Sequence, residues 1–178
     1  RDDMGIVVIL LLIVIFVICE YNEMKTLQNK VKQSRSSIDV YLNQRFDLIP
    51  NLVECVKGYA NYEKELFEKV AEFRAKYNES KDLVVGAALN NKVNQMLMLS
   101  EKYPDIKASE NFLDLQKSIS KMENTLQAAR RLYNSDVTIY NVKITTFPGV
   151  LFAKTFGFKP EDVFVIEEYK KENIEVKL

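Results

Sequence analysis

Six polar residues lie on or beside otherwise apolar stripes: Arg45, Glu63, Glu123, Arg130, Asn134 and Asn141. Arg45 falls between Tyr41 and Leu48, and Glu63 between Tyr59 and Leu66. On facing antiparallel helices these two would form a guanidinium–carboxylate pair. Such a pair could mark a functional pocket, but its ordinary role is to fix helix register. Asn134 and Asn141 follow Tyr133 and Tyr140, seven residues apart and so on one helix face. The chemistry open to this stripe is a ligand groove or, as the simpler reading, hydrogen bonds between helices that enforce alignment. Glu63 and Glu123 could make a carboxylate dyad, but nothing brings further metal ligands to them.

The chain has no histidine. That excludes Ser-His-Asp triads, Cys-His pairs, His-based zinc sites and the Glu-x-x-His motif of di-iron bundles. Walker and dinucleotide-binding glycine motifs are also missing from the sequence. No catalytic residue, cofactor or metal is expected. With 25 basic and 25 acidic residues, the chain has no electrostatic reason to seek nucleic acid. The two cysteines, Cys19 and Cys55, would be roughly 40 Å apart along a rising helix and are read as free thiols.

The elements that must position these residues are helices. Five glycines and four prolines are few for a chain built on tight turns. Met4 to Cys19 carries no charge, spans ~24 Å as a helix, and reads as a transmembrane anchor with Tyr21 at its interface. Residues 1–3 precede Met4, which resembles a natural start, so they read as a remnant. Lys25, Lys30, Lys32 and Arg35 follow the anchor, which predicts a single-pass cell-membrane protein with its N-terminus outside and its helical domain cytoplasmic.

Apolar spacings of three and four then predict helices over about 20–49, 50–78, 83–103 and 109–147. The last has the clearest seam: Phe112, Leu115, Ile119, Met122, Leu126, Ala129, Tyr133, Val137, Tyr140, Ile144, Phe147. Pro50 marks either a hairpin or a kink, and comparable helix lengths favour the hairpin. The expected fold is all-α: an antiparallel up-and-down four-helix bundle preceded by one transmembrane helix. Residues 148–178 form a short irregular tail, with a brief helix ending at Gly157. Tyr21, Phe152, Phe156, Phe158 and Phe164 are candidate membrane or partner contacts, because the tail should emerge near the bilayer. The plainer reading is that the tail caps the bundle's open end.

Several strings carry a family resemblance. They are Tyr21-Asn22 after the anchor, Ile38-Asp39-Val40, and Arg45-Phe46-Asp47-Leu48-Ile49-Pro50-Asn51-Leu52-Val53-Glu54. Glu101-Lys102-Tyr103-Pro104-Asp105-Ile106-Lys107-Ala108, Ala128-Ala129-Arg130-Arg131-Leu132-Tyr133-Asn134, Tyr140-Asn141 and Phe147-Pro148 complete them. On these the sequence resembles the LemA family, from the anchor to about Phe158. Arg35 stands where that family often has Trp, and Tyr62 where it often has His. The resemblance implies a bacterial protein with one N-terminal membrane helix and a cytoplasmic four-helix bundle. It supplies no reaction, substrate or cofactor.

The function expected is therefore a membrane-anchored helical scaffold or protein-interaction module, with an unknown protein partner and self-association open. One alternative is a peripheral membrane organiser using the aromatic tail. Another is a small-ligand sensor or enzyme built on the Arg/Glu layer.

Overall fold

A computed structural model describes residues 2–59 and 63–164. Tyr62 and the part of the expected tail beyond residue 164 lie outside the described residues. The described residues are helical, with no strand among them. The helices are α1 (Asp2–Phe46), α2 (Ile49–Val56), α3 (Lys64–Ser80), α4 (Leu83–Lys102), α5 (Pro104–Lys107), α6 (Glu110–Thr145) and α7 (Gly149–Phe156), with a 3-10 turn at Lys57–Tyr59.

The apolar opening run and the first amphipathic segment are one continuous helix, α1. Between Gly5 and Pro50 the chain has neither glycine nor proline to interrupt it. Pro50 has no N–H to continue a helix, so α1 stops at Phe46 and Pro50 sits in the first turn of α2. The stretch read as one helix over 50–78 contains α2, the 3-10 turn and α3. Gly58 lies at that break with no neighbour within 4 Å of where a Cβ would stand, so nothing offsets its poor helix propensity. Asp82 caps α4, its carboxylate accepting from the Val84 N–H at 2.7 Å.

By internal contacts the chain forms two compact units. The first contains Arg1–Ser36 and Arg130–Phe164, and the second contains Ser37–Ala129. In the second unit α4 packs against α3 and α2. Its core includes Ile38, Leu42, Phe46, Leu52, Tyr77, Leu89, Val93, Met96, Phe112, Ile119 and Leu126. The first unit buries Met24, Val31, Tyr133, Val137, Tyr140, Ile144 and Ala153. The seam read from the sequence along α6 is thus inward-facing, with one correction at its end. Phe147 is 80% exposed, because α6 ends at Thr145 and the backbone turns before Pro148. Periodicity cannot carry a side chain past a turn.

Gly149 sets how closely α7 returns. A Cβ there would collide with the main-chain carbonyl of Lys143 and approach the Met24 methyl at 3.1 Å. Main chain cannot swing aside as a side chain can. Gly149→Ala should therefore cost about 2 kcal/mol of local stability. The check is faster amide exchange within α7, with the second unit's amides unchanged.

Candidate functional site

Each unit holds its own cluster of the residues singled out above. In the second unit Arg45 is 1% exposed and forms an ion pair with Glu123. Its guanidinium also donates to the Asn94 side-chain carbonyl. Glu123 accepts from Asn90 Nδ2 at 3.1 Å and from Gln127 Nε2 at 2.6 Å. Both carboxylate oxygens are therefore engaged, and α1, α4 and α6 are cross-linked through one buried charge pair.

The partner of Arg45 is Glu123 rather than Glu63. Glu63 instead precedes α3 and accepts from Lys102 Nζ at 2.9 Å and Tyr103 Oη at 3.4 Å. The contacts of Glu63 and Glu123 are disjoint, so no carboxylate dyad forms. Two shallow grooves of about 310 and 330 Å³ flank Glu63, lined by residues such as Lys64, Leu66, Gln95 and Lys102. Neither Arg45 nor Glu123 lines them. Among the described residues no group of three His, Cys, Asp or Glu side chains is placed to hold a metal. Cys19 and Cys55 are free thiols.

The first unit contains a different device. Asn134 Nδ2 donates to the Phe164 carbonyl at 3.0 Å, and its Oδ1 accepts from the Phe164 N–H at 2.7 Å. Asn141 repeats this with Glu161, at 2.7 and 2.9 Å. The tyrosine preceding each asparagine adds one bond. Tyr133 donates to the Asp162 carbonyl at 3.0 Å and Tyr140 to the Lys159 carbonyl at 2.9 Å. Burial raises both phenol pKa values above the ordinary range, so both hydroxyls stay protonated donors.

The asparagine stripe thus holds the main chain of the tail, where hydrogen bonds between helices were expected. The physical reason is supply and demand. Helical backbone groups are already paired, while the non-helical segment 158–164 has main-chain groups that need partners. Arg130, 5% exposed, stacks its guanidinium on the Phe164 ring at 5.0 Å, and burial lowers its pKa.

Just beyond the apolar run, Lys143 bridges Glu20 at 3.0 Å and Glu23 at 2.6 Å. Burial opposes the charge on Lys143, but the two carboxylates outweigh it and raise its pKa. This ties the end of α6 to α1 beside Cys19. The aromatic residues gather on the same side: Phe152 meets Phe16 edge-on at 5.9 Å, and Tyr21 packs on Phe156 at 5.1 Å and Phe158 at 5.7 Å. Phe158 is buried and Phe156 exposed. Phe147 and Leu151 are exposed nearby in the chain and were not singled out as contacts in the sequence. Phe147 was hidden by its place in the α6 seam, and Leu151 by its apolar neighbours.

A LemA family model matches residues 34–178. The chain belongs to the LemA family. Protein LemA of Metamycoplasma hominis is 26% identical over 159 residues, covering 86% of this chain and 73% of that protein. Magnetosome protein MamQ of Magnetospirillum gryphiswaldense is 22% identical over 174 residues, and MamQ 1 of Paramagnetospirillum magneticum 24%. Each of these two alignments covers 81% of this LemA-family chain and 64% of the magnetosome protein, less than two thirds of its length. The family match begins after the apolar run. The helix that carries that run is long and apolar enough to cross a membrane, and its most apolar stretch has no buried residue.

Proposed function

We propose that this LemA-family chain is a membrane-tethered helical interaction module. The tether is Met4–Cys19, whose side chains are exposed at every position but the half-buried Val17, with Ile9 at 59% and Leu12 at 59%. An uncovered apolar helix needs lipid around it. The cytoplasmic placement of the remaining helices is supported by Lys25, Lys30, Lys32 and Arg35 just past the run.

The observation that carries the interaction role is a second stripe on α6. Tyr133, Val137, Tyr140 and Ile144 are buried on one face. On the opposite face Leu132, Ser135, Ile139 and Val142 are exposed, at spacings of three, four and three. Single exposed apolar residues need no explanation, but a regular stripe of small and apolar residues is the surface a partner helix packs against. The polar residues of the interior act as fasteners between chain segments, which suits a module whose work is done on its outside.

The test is site-specific photocrosslinking in intact membranes. A photoreactive residue at Leu132 or Ile139 should yield one discrete protein adduct, lost on Val142→Lys. The same probe at exposed Glu72 should yield none. Adducts that form equally from all three positions, or from none, would count against the reading.

A further inference from the structure

We propose that α7 is an interfacial helix, lying in the surface of the leaflet from which α1 emerges, with Phe147, Leu151 and Phe156 among the lipids. The inference rests on reading Met4–Cys19 as a membrane anchor, and it adds a second membrane contact that the anchor alone does not require.

Depth is the first argument. Phe152 meets Phe16 edge-on, and Phe16 is three residues inside the end of the apolar run. At ~1.5 Å per residue that places the contact ~4–5 Å below the run's end. Interfacial helices seat their apolar face ~5–10 Å into the boundary of headgroups and acyl chains. If Phe16 is in lipid, Phe152 is at the membrane surface, and α7 with it.

Exposure is the second. Leu151, 58% exposed, stands on the side of α7 turned from Gly149 and Ala153, while Phe156, 44% exposed, stands toward the anchor against Tyr21, and Phe147 is 80% exposed just before the helix. Gly149 and Ala153 face inward and are buried. Phe156 is continuous with the anchor: Val17, Ile18, Tyr21 and Phe156 line one apolar groove of about 360 Å³. An acyl chain is the occupant that continuity favours, because the groove's other wall is the anchor itself.

Charge is the third. α7 has no acidic residue, and Lys154 within it and Lys159 beyond it are exposed. That pattern suits an anionic headgroup layer. The Lys143 bridge to Glu20 and Glu23 holds the end of α6 at this level, so α7 is delivered there by the fold.

Depth-dependent quenching in the full chain tests this. Cys19 and Cys55 are replaced by serine, and single cysteines are introduced by Leu11→Cys, Leu151→Cys or Lys69→Cys and labelled with an environment-sensitive dye. The protein is reconstituted into phosphatidylcholine–phosphatidylglycerol vesicles carrying a nitroxide either near the glycerol end or at the terminus of the acyl chain. Position 11 should be quenched by the deep nitroxide, and position 69 by neither. Position 151 should be quenched several-fold more by the shallow nitroxide than by the deep one, with blue-shifted emission. A dye at 151 that no lipid quenches, while 11 is quenched, overturns the proposal and leaves the anchor standing. α7 would then face protein or solvent. A dye at 11 that escapes quenching overturns the anchor itself. Leu151 is exposed, so labelling it does not disturb the core.

Discussion

Glu123→Ala should lower the unfolding free energy by about 3 kcal/mol, because it strands the Arg45 guanidinium in the interior. Removing one partner of a buried ion pair costs ~3–5 kcal/mol, most of it the penalty of the charge left behind. Arg45 is 1% exposed, so water cannot replace the lost carboxylate. The Glu123 side chain is 25% exposed, which places the expected cost at the lower end of that range. Asn90 and Gln127 lose their acceptor in the same substitution. For a chain of this size 1 kcal/mol moves the midpoint by ~2–4 °C, so a fall of ~6–12 °C is expected in detergent-solubilised protein. The double variant Arg45→Met, Glu123→Leu separates the explanations. Apolar replacements that fill the same volume leave no buried charge, and most of the loss should return. A double variant as unstable as the single one would show that the pair contributes packing or specific hydrogen bonds that apolar side chains cannot replace.

The same residues show what the sequence makes legible. The faces of α1 and α6 follow from spacing alone, because an amphipathic helix repeats its burial every three or four residues. Met24, Val31 and Ile38, and then Ile119, Leu126, Tyr133, Val137, Tyr140 and Ile144, are buried as that period predicts. Arg45 and Glu123 were both visible as polar intrusions into those faces. Their pairing was not, because periodicity says which way a residue points and not which residue stands opposite. Glu63 has the same signature as Glu123, yet it engages Lys102 and Tyr103. The outer stripe of Leu132, Ser135, Ile139 and Val142 was available in the sequence as a spacing of three, four and three on the face opposite the inner seam. It was obscured because the stronger seam accounts for most of the same helix. The tail segment 158–164 carries no period at all, so the partner of the asparagine stripe had no signal to be found by.

That partnership supports the second large effect. The double substitution Asn134→Ala, Asn141→Ala should release residues 159–164 from α6 while leaving the helix formed. It removes four hydrogen bonds, two of them the partners of the Glu161 and Phe164 N–H groups. At about 1 kcal/mol each the local loss is roughly 4 kcal/mol, so exchange of those two amides should accelerate by up to about a thousandfold. Tyr133→Phe and Tyr140→Phe remove one bond each and should have much smaller effects. The spacing explains why the ladder works. Seven helical residues rise ~10.5 Å, and three residues of near-extended chain cover ~10 Å. The asparagines at 134 and 141 therefore meet residues 164 and 161 in register, and the tyrosines meet 162 and 159 in the same period. Because every acceptor and donor taken from the tail is main chain, Glu161→Ala should leave docking intact. Inserting one residue between Glu161 and Phe164 should abolish it at one rung. If Glu161→Ala loosens the tail as much as the double asparagine variant, side chains hold it and the ladder is incidental. If the prediction stands, the segment between Phe158 and Phe164 is fastened through its main chain, and the side chains that matter are the two at its ends, Phe158 on Tyr21 and Phe164 under Arg130.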